Sequence, residues 1–411
     1  MQYLRNSHAA RDTNDFVFQQ LIPYIGNKRK LLWLIGDALA HWEDRGLRTF
    51  VDVFSGSSVV SRYAKKLGLQ VVSNDWEPYA EVLATATIAC NQEPEFASLG
   101  GYARAIDELN ALPPRVGWVT EHLCPREDAD FDTRVDRLFF MRKNGMRIDA
   151  IRERIRQWQE SGHVSKREAA CLLAPLLYQT CYRSNTSGVF KGFHEGWGGR
   201  SGTATHRICG DLVLRPLVFH DNERENRVHA VDAARLASHV SSHLPGGVDD
   251  TVYYLDPPYN QHPYGSNYHV LNTVTLWDAP PLSKRISGRN KAAIRTDWRT
   301  KRRSAYTYRK LAAEAFEALL DAIPSPHVLI SYSTDGMIPL ERLVEACARR
   351  GSLEVVRTPY KRYRVSPTRP SPRARNVEFV LILDKRSPRP GDAARVLDAI
   401  HSSDETGARQ S

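Results

Sequence analysis

The residues with the sharpest chemical potential are Asp256, Pro257, Pro258 and Tyr259, which follow directly on the apolar run Thr251-Val-Tyr-Tyr-Leu255. An amine on a purine or pyrimidine ring is a poor nucleophile, because its lone pair is delocalised into the ring. Attack on a methyl donor becomes easier when acceptors take hydrogen bonds from both amine protons as charge develops. A carboxylate at a strand end and the carbonyl of the following proline supply two such acceptors about 3 Å from one nitrogen. Pro257 and Pro258 fix φ and cannot donate, so that carbonyl is held facing the site. Tyr259 adds a flat face on which a base can stack. A proline-rich turn that merely ends a strand is the plain alternative.

Two further runs suit a cofactor. Asp52-Val-Phe-Ser-Gly-Ser-Ser58 puts small residues at a strand–helix turn, where the backbone can approach a ligand and a helix start offers free N–H groups. Asp75 stands at the end of the next strand, about 20 residues on, where an acid can take both hydroxyls of a ribose. Both features fit any nucleoside-type cofactor, and equally a βα turn capped by serines. Ahead of them, Tyr24-Ile-Gly-Asn-Lys28 allows a tight turn at Gly26. Lys28 can then reach an anionic group such as a cofactor carboxylate. A solvated basic helix start is the alternative.

These residues sit on a recognisable scaffold. A strand from Thr49, a helix on Val59, Val60, Tyr63, Ala64 and Leu67, and a second strand over Leu69–Ser73 form one unit. Such units build parallel sheets flanked by helices. Glu77–Cys90 reads as a helix. The rhythm breaks from about Gln92 to Asn226, with helix-like runs at Asp149–Glu160 and Glu168–Gln179 and a Gly-rich aromatic loop at Tyr182–Gly199. That segment reads as an inserted domain. Alternation returns with a strand, VHAV, ahead of Asp232, a helix over Ala233–His243 and the Thr251–Leu255 strand. Later strands are expected at His327–Ser331, Leu353–Arg357 and Val377–Leu383, with a helix over Thr307–Ile323. The polar tail beyond Lys385 is expected to be mobile.

In the order YIGNKRKLL, DVFSGSS, SNDWEPY and DPPY followed by NQHPYGSNYH, the chain resembles the Dam-like class of DNA adenine methyltransferases, over about residues 24–383. The DPPY and YxGxK elements in this order are specific; the glycine loop is less so. The resemblance implies a methyltransferase-type, Rossmann-like α/β fold with a seven-stranded, mostly parallel sheet and an inserted, mainly helical target-recognition domain. It divides the chain into an N-terminal extension (1–20), a cofactor-binding half (21–92), the recognition insert (93–226), a catalytic half (227–385) and a tail (386–411). It implies methyl transfer from S-adenosylmethionine to the N6 amine of an adenine flipped out of double-stranded DNA. Carried over by position, Tyr24, Gly26, Lys28, Asp52, Phe54, Gly56, Asp75, Trp76, Asp232 and Asp256 bind the cofactor. Asp256, Pro257, Pro258 and Tyr259 hold the amine and stack on the base. Tyr182, Arg183 and Asn185, in a loop resembling an N-x-x-G-x-F stretch, approach the DNA. The aromatic-rich loop after Tyr259, with His262, Tyr264, Tyr268 and His269, is expected to close over the flipped base; a packed loop core is the alternative. Ser58 departs from the pattern, standing where many members have a second glycine.

Composition agrees with a nucleic-acid partner. The chain has 411 residues, and 57 Lys and Arg against 47 Asp and Glu give a net charge of +10. Two basic stretches, Arg295–Arg309 and Tyr360–Arg375, make Arg302, Arg303 and Arg364 candidates for gripping phosphate. The six cysteines are scattered without a CxxC pair, as in a reduced cytoplasmic protein, and no spacing suggests a metal site. The opening is polar and no run is apolar enough to span a membrane, which points to the cytoplasm of a bacterium or phage-infected cell. A cognate restriction endonuclease is a possible companion. Three alternatives stand beside the adenine reading: methylation of the exocyclic amine of cytosine, methylation of a protein glutamine, and a non-catalytic DNA-binding protein on the same fold.

Overall fold

The computed structural model describes residues 15–240, 244, 247–261, 263–282, 286, 291–361 and 375–408. At their centre lies a sheet of β1 (Thr49–Asp52), β2 (Gln70–Asn74), β3 (Arg227–His229), β4 (Thr251–Leu255), β5 (His327–Ser333), β6 (Ser352–Lys361) and β7 (Arg375–Asp384). Its order is β3-β2-β1-β4-β5-β7-β6. The first five strands pair in parallel, and β7 lies antiparallel between β5 and β6. This is the seven-stranded, mostly parallel sheet expected from the sequence. Every residue of β1, β2, β4 and β5 is buried, because helices cover both faces. Val51, Val72, Tyr253 and Ile330 face the helices Ala233–Val240 and Ala312–Ala322, while Phe50, Val71, Tyr254 and Leu329 face Leu32–Ala40 and Val59–Lys66.

The sheet order reverses between β1 and β4, and parallel strands end on one edge. That edge therefore gathers Asp52 at the end of β1, Asp75 just after β2 and Asp256 just after β4. A crevice at such a reversal is where open α/β sheets take their ligands.

A helical layer covers one side of this edge, built on Tyr102–Ala111, Trp118–Leu123, Arg142–Glu160 and Lys166–Tyr182. The last of these starts with a reciprocal cap: Ser165 Oγ accepts from the Glu168 N–H at 3.2 Å, and the Glu168 carboxylate accepts from the Ser165 N–H at 2.8 Å. The core of this layer also takes in Ile22, Tyr79 and Leu83 from before it, and Tyr268, Leu271, Val274 and Ala292 from after it. Its packing thus runs across residues 93 and 226.

Several elements differ from expectation. The helix expected over 149–160 starts at Arg142, because Asn144 and Ile148 are buried and Asp128 accepts from the Arg142 N–H at 2.8 Å. The run 78–90 is α-helical only through Ala84 and widens into a π-turn at Thr85–Ala89. Buried Lys65 donates to the carbonyls of Thr87, Ile88 and Cys90, which ties down that widened end. The loop after Tyr259 folds into two short helices, Tyr264–Asn267 and His269–Leu276. The polar tail is a helix, Ala393–Ala408, with Val396 and Ile400 fully buried. His262, Arg364 and residues 1–14 lie outside the described residues, and no described helix is long and apolar enough to cross a membrane.

Candidate active site

The carboxyl edge of the sheet opens into a cavity of about 870 Å³, a size suited to a nucleoside-sized ligand with room to spare. Its wall brings together Tyr24, Gly26, Lys28, Asp52, Phe54, Gly56, Asp75, Trp76, Asp232 and the whole of Asp256–Tyr259. All of the residues assigned to cofactor and amine thus meet in one place.

The cofactor end is held by short polar contacts. Asp75 accepts from the Gly56 N–H through Oδ2 and from the Glu77 N–H through Oδ1, each at 2.9 Å. Burial lifts its pKa to about 6, against those hydrogen bonds. Asp52 accepts from Ser61 Oγ at 2.6 Å through Oδ2, while its buried Oδ1 has no side-chain partner among the described residues. Burial pushes its pKa to about 7, opposed by the Ser61 bond and, least, by the Phe54 N–H, and reinforced by Asp256 and Asp75. Gly56 has φ +49°, and a Cβ there would lie 2.6 Å from the Tyr24 ring. The Tyr24 ring packs against both Tyr264 and Tyr268, at 5.1 and 5.0 Å, and those two rings lie 6.1 Å from each other.

The amine end is tighter. Lys28 is 2% exposed; its Nζ lies 3.0 Å from Asp256 Oδ2, donates to the Gly26 carbonyl at 2.9 Å and sits 4.6 Å from the centre of the Tyr259 ring. The Tyr259 hydroxyl donates to Asp256 Oδ1 at 2.6 Å, and its ring meets Tyr332 edge-on at 4.9 Å. Burial holds the Asp256 carboxyl above the usual carboxylate range, with Lys28 and the Tyr259 bond opposing.

The structure revises several expected DNA contacts. Asn185 is fully buried: its amide donates to the carbonyls of His194 and Gly196 and accepts from the Gly198 N–H, so it shapes its own loop. Tyr268 is likewise buried; its hydroxyl accepts from the Ile25 N–H, and the Tyr264 hydroxyl donates to the Ile25 carbonyl. These two tyrosines clamp the Tyr24–Gly26 turn from behind. His269 is also buried, with Nε2 bonded to the Phe190 carbonyl at 2.8 Å. Arg302 is only 13% exposed and pairs with Asp297 at 2.8 Å and Glu77 at 3.6 Å. Arg303 is exposed and lies over the Tyr308 ring. Tyr182 is exposed, stacked on Tyr178 and flanked by Arg183 and Arg207.

Sequence reasoning passed over Glu77, Tyr306 and Glu378, which also line the cavity. Tyr306 meets Phe54 edge-on at 5.1 Å. Glu378 carried a signal that went unread, a lone acid in the apolar run Val377–Leu383.

An open α/β sheet in this order, with acids at three strand ends and Asp256-Pro-Pro-Tyr259 beside a buried lysine, is the architecture of a methyltransferase-type fold. A family model described as the D12 class of N6 adenine-specific DNA methyltransferases matches residues 24–292, and the chain belongs to that family. It is an adenine-specific DNA methyltransferase, with DNA as its substrate. The family's specificity sets aside cytosine, protein glutamine and a non-catalytic role. The chain is 28% identical over 367 residues to a Type II methyltransferase, M.NlaIII, of Neisseria lactamica, covering 88% of this chain and 99% of that one. It is 28% identical over 375 residues to the modification methylase LlaI of Lactococcus lactis subsp. lactis, covering 89% of this chain and 55% of that one. A third relative is the Type II methyltransferase M.CviAII of Paramecium bursaria Chlorella virus 1, 28% identical over 344 residues, 84% of this chain and 93% of that one.

Proposed function

We propose that this chain binds S-adenosylmethionine in the cavity and methylates the N6 amine of an adenine extruded from duplex DNA. The residues present fit that cofactor. Asp52 Oδ1 is a buried acceptor with no side-chain partner among the described residues, suited to an ammonium group, and Asp75 would take ribose hydroxyls. Phe54 and Tyr306 offer ring faces for the adenine moiety, beside Asp232. Gly56 keeps the floor free of side chain. When bound, the cofactor supplies an electrophilic methyl group on sulfur.

Asp256 and the Pro257 carbonyl would accept hydrogen bonds from the two N6 protons, and Tyr259 would stack on the base. As the nitrogen lone pair turns to the methyl carbon, Asp256 is placed to take the proton the amine sheds. Extrusion costs a few kcal/mol of lost stacking and pairing, which stacking on Tyr259 offsets in part. Tyr182 and Arg303 are exposed and half-buried Arg183 lies against Tyr182; these are the groups best suited in character to meet DNA. The observation that carries this reading is the shared cavity of Asp75, Gly56 and Asp256–Tyr259. The relatives named as Type II and modification methylases support a protective role beside a restriction endonuclease of the same site specificity, in the cytoplasm where the DNA lies.

Sequencing that reads modified bases, on plasmid from a host without adenine methylation, tests this. Methyl groups on adenine in one short motif are expected with the native chain and absent with Asp256→Ala. Unmodified adenine in both, from protein that binds cofactor, would overturn it.

A further inference from the structure

Both oxygens of Asp256 are engaged in this structure, Oδ1 by the Tyr259 hydroxyl and Oδ2 by the Lys28 ammonium. A carboxylate oxygen can accept from more than one donor, but an amine entering there competes with both and is held best once one of them lets go. Lys28 is the harder to release, because a buried ammonium stripped of its counter-charge is costly. Its other contacts, the Gly26 carbonyl and the Tyr259 ring, carry no full negative charge.

A second carboxylate stands ready. Glu378 lies on β7 opposite Ser333 of β5 and bonds to the Ser333 hydroxyl. It lines the same cavity as Lys28 and Asp256, and its Oε2 is buried with no partner among the described residues. Burial raises its pKa, and the Lys28 ammonium is the strongest charge acting the other way. An unpartnered carboxylate oxygen within the field of a lysine that competes with the amine for Asp256 is a receiving site for that lysine.

We propose that Glu378 takes over the Lys28 ammonium when the target amine replaces it on Asp256. Glu378 is thus a positioning residue, acting through Lys28 and touching neither base nor methyl donor. The exchange keeps the ammonium paired throughout, so admitting the base costs only the difference between two ion pairs. It also ties admission to the amine itself, because a base without donor hydrogens gives Asp256 nothing in return for Lys28. This rests on the amine-binding role of Asp256 proposed above.

Glu378→Gln keeps the shape and removes the charge, while Glu378→Asp keeps the charge on a shorter stem. Single-turnover transfer at saturating S-adenosylmethionine should slow about a hundredfold in E378Q and recover in part in E378D. Calorimetric affinity for the cofactor should stay within about twofold, since uniform damage to the site would lower both. The adenine duplex should bind E378Q more weakly, while a duplex with unsubstituted purine at the target position, which lacks the amine, should bind as it does to the native chain. Native-rate transfer by E378Q, equal losses in rate and cofactor affinity, or equal weakening of both duplexes would each overturn the proposal. A native chain that puts no methyl group on adenine would instead overturn the function on which it rests.

Discussion

In the proposed function three carboxyl groups at three strand ends carry most of the chemistry, and burial keeps each from ionising freely. For Asp52 and Asp75 this has a direct consequence. Cofactor binding that uses both as anions weakens as pH falls through about 7 and then about 6. Calorimetry across that window should show the loss, with the upper part missing in Asp52→Asn; an affinity flat with pH would contradict it. The free protein has the opposite sign: with Asp52 raised above its ordinary 3.8, the folded state keeps the proton better, and that contribution to stability is lost as pH rises through about 7. Ser58 offers a second test. It adopts φ +62°, a left-handed conformation that suits glycine, and its hydroxyl is buried without a partner. Ser58→Gly should therefore stabilise the fold by about 1 kcal/mol in thermal melts. The serine in place of a second glycine changes backbone strain, then, and the loop still reaches the cavity. Asp52, Asp75 and Asp256 were legible because each sits where an apolar run stops. Tyr306 was not, because its neighbours are set by loop path; Glu378 stood out as a lone acid in an apolar run, but its place in the cavity did not, because β7 reaches the cavity only by inserting between β5 and β6.

Helices and loops answer differently. The last helix shows an apolar face of Val396, Leu397 and Ile400, spacing that was present in the sequence but diluted by the polar residues around it. Ile400→Ala should cost roughly 2–4 kcal/mol of stability, read by denaturant unfolding, where a mobile tail would show no change. The stretch Arg295–Arg309 also looked like a DNA-gripping run on charge alone. In the structure Arg295 is paired bidentately with Asp278 and also with Asp297, and Arg302 continues the chain to Asp297 and Glu77. Composition cannot separate a cation facing solvent from one facing a carboxylate brought in from another element. Asn185 and Tyr268 misled for the same reason, since motif position gave their place in the chain but not the backbone groups they satisfy. The helical layer itself was legible from its helix-like runs, though its packing reaches well past their ends.

Across the whole molecule, the +10 charge sets how binding responds to salt. Each phosphate contact adds roughly −0.9 to the slope of log affinity against log salt. Arg303→Met should flatten that slope by about 0.9, whereas Arg302→Met, spent on internal ion pairs, should leave the slope unchanged and lower the melting temperature. The sheet, its order and its acids converge on one claim, that the Asp256 end of the cavity activates an adenine amine. The most direct measurement is transfer of an isotopically labelled methyl group from S-adenosylmethionine to duplex DNA, with the products digested to nucleosides and weighed by mass spectrometry. Label in N6-methyldeoxyadenosine with the native chain, and none with Asp256→Ala, is the predicted result. Label in a methylated cytosine, or an undiminished adenine signal from Asp256→Ala, would contradict the account.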